Sequence, residues 1–294
     1  MKRKKIKVST IVLNVILILM CIITLYPLLL CLGVSFSNEQ DVLSEGYRLI
    51  PKHFDLTGYK YVFNNPKSVI DAYKVTIIFS VTATLGMLFC NSLAAYPLSR
   101  RNFRFRSKVN FYFYFTCLFG GGLVPTYLLY TQYLHLSDTI WVYIIPSLVS
   151  AWTIFYIRAS FQEIPEEMIE SAVIDGASEW RILLTFMIPL SKPVIATMSL
   201  GFFMGKWNDW MTSMLYINDR QDLILLQYLL QKIMLNMNLL KSDTTSAQFL
   251  QAAKIPSETA RMAMMFVVAG PALVIFPFFQ KYFVKGMIVG SVKG

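Results

Sequence analysis

A chain of 294 residues that is 55% hydrophobic, with a mean hydropathy of +0.52 and only 15% charged residues, falls well below the roughly 25% charge of ordinary soluble domains. That composition excludes a water-soluble globular protein and predicts several bilayer crossings, each needing about 20 apolar residues for roughly 30 Å of hydrocarbon. The formal charge of +10 is spread without a basic stripe of interleaved aromatics, so it is a topology signal and does not indicate a nucleic-acid partner.

Six apolar segments are long enough to cross, at about 9–34, 72–98, 109–132, 140–161, 193–216 and 260–282, and predict an all-α membrane protein with six transmembrane helices. The first opens with the basic run MKRKKIK, as a signal peptide would. Its apolar stretch of about 25 residues exceeds the usual 7–15, and no small-residue cleavage site follows, so it reads as a retained anchor. Lys74 and Asn91 interrupt the second segment. Gly120–Gly122, ahead of Pro125, mark close packing or a kink in the third. Cys21, Cys31, Cys90 and Cys117 all fall within predicted spans, without metal spacing, and read as packing residues.

Basic residues are sorted by side. Five lie in 1–8, five in 99–108 and three in 158–192, against none in 133–139 and four each in the longer 35–71 and 217–258. The positive-inside rule therefore predicts cytoplasmic termini, with tails at 1–8 and 283–294, a cytoplasmic loop at 162–192 and an outer loop at 217–258. Arg100, Arg101, Arg104 and Arg106 read as topology signals and phospholipid contacts.

The 162–192 loop breaks the apolar pattern with ESAVIDGASEWRILLTFMIPL, Glu170 to Leu190. Pro165 suits a helix start, and Glu166 and Glu167 favour the positive end of its dipole. Met168, Ile169, Ala172 and Val173 share one face. Gly176 can supply a left-handed cap, and Ser178 can cap a second helix running to Pro189 and into the fifth span. A helix so short and acidic cannot span. It lies on the membrane surface, folds back on its own bundle, or docks into a partner.

At these residues the chain resembles the permease subunits of binding-protein-dependent ABC importers, whose cytoplasmic signature reads E-A-A, three residues, Gly, nine residues, I-x-L-P. Glu170, Ser171, Ala172, Gly176 and Pro189 stand at that spacing. Ser171 replaces the second Ala, Phe186 the Ile and Ile188 the Leu. The resemblance implies a type I ABC importer permease fold. It also implies that this loop, Asp175 included, is the coupling helix seated in a cleft of a partner ATPase, with the glutamate facing a basic group and the glycine permitting the bend. ATP and Mg would be held by that partner, with no cofactor on this chain. The expected assembly is a homologous second permease, two ATPase subunits and an extracellular solute-binding protein in a bacterial cell membrane.

Four further stretches, FGGGLVPTYLLY, SDTIWVYIIPSLVSAW, GKWNDWMTSMLYI and QKYFVKGMIVGSVKG, are similar to the carbohydrate-importing members, closest to the complex-oligosaccharide subset. The implied solute is an oligosaccharide. In the fifth span, Lys206, Trp207, Asn208, Asp209 and Trp210 place costly polar groups within a crossing, where such groups normally face an interior or a wet cavity. Lys206 and Asp209, three apart, can pair on one helical face, and Trp207 and Trp210 can offer ring faces to a sugar or to Lys206. Two readings stay open, an interface belt with helix packing and a lining of the outer translocation path. In the maltose-type relatives the companion permease makes most sugar contacts.

In the outer loop, 222–240 is helical in pattern, with the polar turn KSDTTSAQ after it; a long ordered loop is usually functional. By resemblance it reaches the binding protein; otherwise it is a lid over the bundle. No Walker A loop, HExxH or nucleophile–base set is legible, since Gly201 to Lys206 is one residue short of a P-loop and lies in a span. ATP hydrolysis is therefore expected of a partner, and a membrane enzyme is disfavoured. An importer for a polyamine, phosphate or peptide is the nearest alternative. A secondary transporter would need inverted repeats and buried coupling carboxylates, for which the spans offer only Asp209.

Overall fold

The computed structural model describes residues 8–242 and 256–290. The basic tail up to residue 7, the polar turn from residue 243 and the last four residues of the C-terminal tail lie outside the described residues. Among those described, the regular structure is helical, with one isolated bridge between Ser37 and Phe54. Three helices are long and apolar enough to cross a membrane, or up to six crossings if each of three sharply bent helix pairs counts as one. The chain divides into two compact units, Met1–Pro66 with Lys232–Gly270, and Lys67–Gln231 with Pro271–Gly294.

In the first unit, α1 (Val8–Ser35) is dominated by Leu, Ile and Val, and its side chains from Ile11 to Leu29 are exposed on every face. A helix apolar all round is a lipid or partner surface. After it come α2 (Glu39–Glu45), capped by the Asn38 side chain, and α3 (Thr57–Val62). Phe36 stacks between Phe54 and Tyr59. Glu39 reaches across sequence to the start of the last helix, α15 (Ser257–Gly290). Its carboxylate accepts the N–H groups of Ser257, Glu258 and Thr259 and the hydroxyls of Ser257 and Thr259, at 2.8–3.1 Å. These are the orphan donors of a helix N-terminus, satisfied by one distant side chain.

The second unit holds the bent spans. α4 (Pro66–Ser99) is its long unbroken member. The predicted third span is not one helix: α5 (Arg106–Leu118) and the following α6 (Leu123–Leu128) with a π turn at Leu129–Tyr133 meet at 110°. Phe119–Gly122 forms the corner, and Gly122 takes φ +83°, open to glycine without strain. The fourth span also breaks, by 44°, between α7 (Trp141–Ile144, tightening to 3₁₀ at Ile145–Ser147) and α8 (Ala151–Gln162).

That second break explains Asn91, the polar residue that interrupts the second apolar segment. It is fully buried on α4; its amide donates to the Met87 and Leu148 carbonyls and accepts the Ser150 N–H at 3.0 Å. Backbone freed by a break inside a membrane must find a partner in the protein, and Asn91 supplies it.

The predicted fifth span, 193–216, is likewise not one helix. α12 (Lys192–Trp207) ends at Asn208, and a separate short α13 (Met211–Tyr216) follows. The helix expected over 222–240 lies at α14 (Leu226–Ser242), after a 3₁₀ turn at Gln221–Leu223.

Two apolar cores organise this unit. One joins Leu98, Ile154, Ile157 and Phe161 to Ile169, Ile182 and Met187; the other gathers Phe79, Val142, Tyr143, Tyr216, Ile217 and Leu225. Each core carries one candidate site.

Candidate functional site

The first site is the knob between α8 and α12. Its opening helix, α9 (Glu166–Ile174), starts after Pro165 with Glu166 and Glu167 in the first turn. It stops at Asp175 in a Schellman arrangement: the Gly176 N–H bonds the Val173 carbonyl at 3.0 Å and the Ala177 N–H bonds that of Ala172 at 2.9 Å. Gly176 sits at φ +78°, as the motif requires. Ser178 then caps α10 (Glu179–Ile182) by accepting the Arg181 N–H.

The second helix does not run smoothly into the fifth span. It widens into a π turn at Leu183–Met187, continues as α11 (Ile188–Leu190), and meets α12 at 79°. Pro189 lacks an amide hydrogen and its ring crowds the carbonyl four residues back, and Pro193 does the same at the start of α12, so the α-helical ladder cannot pass through.

Of the four apolar residues expected on one face of α9, Ile169 and Ala172 are buried in the first core, while Met168 and Val173 remain exposed. The knob thus folds back on its own bundle along a narrow seam and keeps an apolar rim of Met168, Val173, Ile174, Trp180 and Leu184 facing outward. Glu170, Ser171, Asp175 and Gly176 lie on that outward side, all exposed; the Ser171 hydroxyl bonds back to the Met168 carbonyl. Pro189 sits partly buried at the root. The Tyr96 hydroxyl at the end of α4 donates to Glu179, and Arg101 pairs with Glu166 at 3.3 Å. The latter is largely solvent-exposed and contributes little.

The second site is the interruption of the fifth span. Lys206 and Asp209 do not pair, because α12 ends between them and they do not share a helical face. Asp209 turns to α13, accepting the Thr212 N–H at 3.0 Å and its hydroxyl at 2.7 Å. The Lys206 ammonium lies over the rings of Phe202 and Phe79, 5.1 and 5.7 Å from their centroids. Trp207 does not offer a ring face outward: only 1% exposed, it packs against Tyr73 and Phe203. Asn208 bonds the Met204 carbonyl and Gln227, and Trp210 is 38% exposed.

Lys206 and Asp209 instead share a cavity of about 290 Å³ with Tyr130, Tyr143, Thr212 and Tyr216. Tyr130 and Tyr216 lie 5.7 Å apart between ring centroids. The three tyrosines were not legible as site residues, since they come from three separate segments with no shared spacing. Their frame is polar and long-range. Tyr143 shares a hydrogen bond with Ser213 and donates to the Leu223 carbonyl; Ser213 accepts the Leu225 N–H, and Thr76 accepts that of Leu226.

Above this frame, Asp138 takes φ +54° and its carboxylate accepts the N–H groups of Asn218, Asp219 and Arg220 at 2.8–3.2 Å. Partial burial pushes its carboxyl up, but the Arg220, Asn218 and Asp219 amides together outweigh it and hold it below the usual carboxylate range.

Among the described residues no group of three or more His, Cys, Asp or Glu is placed to hold a metal.

Residues 4–289 match the family of binding-protein-dependent transport system inner membrane components. Protein LplC of Bacillus subtilis (strain 168) is 37% identical over 273 residues, 92% of this chain and 90% of that protein. The polygalacturonan/rhamnogalacturonan transport system permease protein YtcP of the same organism is 35% identical over 278 residues, 95% of this chain and 96% of that protein. Among solved structures, a chain of a bacterial ABC transporter involved in the import of the acidic polysaccharide alginate aligns with TM-score 0.82 and 27% identity, covering 96% of this chain and all of that one.

Proposed function

The chain belongs to the family of binding-protein-dependent transport system inner membrane components, and on that premise we propose that it is the permease of an ATP-driven importer whose solute is an oligosaccharide. The observation that carries the coupling part is the knob at 166–190. It is held to its own bundle by Ile169 and Ala172, stopped by Gly176, and left with an apolar rim around the exposed Glu170. An outward apolar rim with exposed carboxylates at Glu170 and Asp175 suits a cleft that is apolar and basic.

In this reading both termini and the knob face the cytoplasm, as the distribution of basic residues suggests. Two ATPase subunits hold ATP and Mg and close on binding them. The knob moves with the ATPase as a rigid body, because packed elements shift whole rather than deform. That movement tilts α8 and α12 and exposes the inner cavity alternately to either side. A homologous permease completes the path, and a binding protein delivers solute to the outer face. Lys206 and Asp209 line the path within this chain, while Trp207 serves as packing.

The sugar assignment rests on the relatives. Two of them are named for polygalacturonan/rhamnogalacturonan and alginate, polymers of acid sugars, and this favours an acidic oligosaccharide over a polyamine, phosphate or peptide.

The test is co-purification in mild detergent, followed by mass spectrometry and an ATPase assay. Wild type is expected to bring down a second permease and an ATPase. Glu170→Ala and Gly176→Pro are expected to lose the ATPase or its stimulation while the two permeases stay together. Wild type emerging alone, or fully coupled variants, would remove the knob from the mechanism.

A further inference from the structure

Lys206 is the unusual group of the second unit. It sits at the end of a membrane-crossing helix, partly buried, and its ammonium has no ion pair or hydrogen-bond partner among the described residues. Cations within spans are rare and are almost always paired or set against a wet cavity. The rings of Phe79 and Phe202 recover part of the lost solvation. Neither ring neutralises the charge. The nearest carboxylate in sequence, Asp209, is oriented by the Thr212 N–H and hydroxyl and closes no ion pair with Lys206, so it offsets the charge only from its own place on the cavity wall. A cation is thus held on the wall of a cavity with no acceptor in direct contact with it.

The rest of the cavity has the surfaces a sugar needs. Tyr130, partly exposed at the wall, supplies an aromatic face for the C–H face of a pyranose ring, and Tyr216, 5% exposed and stacked on Tyr127, backs it. The Asp209 carboxylate has two oxygens with about four acceptor sites, of which Thr212 uses two, leaving capacity for sugar hydroxyls. The cavity, about 290 Å³, is at the small end for ligand pockets and suits one residue of a chain rather than a whole oligomer.

A neutral sugar would offer Lys206 only hydroxyl acceptors, and a small anion such as phosphate would leave the aromatic wall and most of the acceptor sites of Asp209 unused. A residue bearing both a carboxylate and hydroxyls satisfies every group. Building on the permease reading, we infer that this cavity is a transient binding site for one uronate residue of the passing oligosaccharide, its carboxylate on Lys206 and its hydroxyls on Asp209.

The inference is tested in the complete transporter, reconstituted in proteoliposomes with its companion permease, ATPase and binding protein. The probes are trigalacturonate and its methyl-esterified counterpart, each loaded on the binding protein beforehand so that delivery is matched. The readout is the ratio of acid to ester transport. Lys206→Met is expected to lower that ratio about tenfold, the scale of one lost charge-assisted hydrogen bond. Lys206→Arg, which keeps the cation, is expected to hold it within about threefold of wild type.

An unchanged ratio in Lys206→Met overturns the inference, including when both rates fall together, as they would if Lys206 paired with a carboxylate of the companion permease. Transport of the ester but not the acid by wild type also overturns it, while the oligosaccharide reading stands. Wild type moving neither probe removes the oligosaccharide reading itself, and this inference with it.

Discussion

The knob at 166–190 and the interruption at 208–210 lie in the same unit and both break the run of membrane helices, yet they are built from opposite materials. The knob is closed by neighbours: the Gly176 and Ala177 amides reach back three and five residues, and Ser178 reaches forward three. The interruption is closed by strangers. Ser213 takes the amide of a residue 12 positions away, Tyr143 donates to a carbonyl 80 away, and Thr76 accepts an amide 150 away. A device that must seat in another protein can be specified locally and presented whole. A polar break inside a bilayer cannot, since every freed backbone group needs a partner from the surrounding protein.

The sharpest way to break the second region is through its two tryptophans, which sequence treats alike. Trp207 is packed on Tyr73 and Phe203 and is 1% exposed, whereas Trp210 is 38% exposed. Trp207→Ala is expected to cost about 3–5 kcal/mol, the scale of a large core truncation, and Trp210→Ala less than half of that. Thermal unfolding of the purified transporter in detergent measures both. Equal losses would mean that the two rings share one role, and the division between packing residue and cavity rim would have to be redrawn.

The knob answers to a smaller change. At Gly176 a Cβ would meet nothing within 4 Å, so space is no obstacle there. The φ of +78° is the obstacle, and left-handed backbone costs an L-residue roughly 1–2 kcal/mol. Gly176→Ala is therefore expected to loosen the turn by about that much while leaving the fold of the spans intact. Hydrogen exchange of the Gly176 and Ala177 amides should quicken several-fold, with the core around Ile154 and Ile157 unchanged. Uniform quickening would show that the knob and the bundle unfold as one.

The same contrast governs what could be read from sequence. Pro165, Gly176 and Ser178 act on residues within five positions, and the helix, its stop and the next start were all legible from them. The corner at Gly120–Gly122 was legible as a place to bend, though not its 110°. Asn91 read only as an interruption, because its reason lies at Leu148 and Ser150. Lys206 and Asp209 read as an i,i+3 pair on a helix that in fact ends between them. Apolar periodicity sees no such end when both sides of it are apolar. The cavity's tyrosines carried no signal at all, since their convergence is a product of the packing.

Asp138 offers the finest test of the long-range frame, through pH. Its carboxylate gathers three amides of the 218–220 turn, and these hold its carboxyl below the usual range despite the opposing effect of burial. A carboxyl lowered in the folded state contributes stability that is fully present above its unfolded pKa and is lost as pH falls through the folded value. Asp138 is only partly buried and solvent screens its interactions, so the contribution is modest, about 1 kcal/mol or less at neutral pH. Asp138→Asn should accordingly lower the unfolding temperature slightly at pH 7, and the gap should close as both proteins are taken to acid, where wild type is protonated as well. A gap that persists in acid would mean that the charge is not what Asp138 supplies and that the second acceptor oxygen, which asparagine lacks, is, because asparagine tolerates the φ of +54° equally well and the backbone is matched between the two proteins.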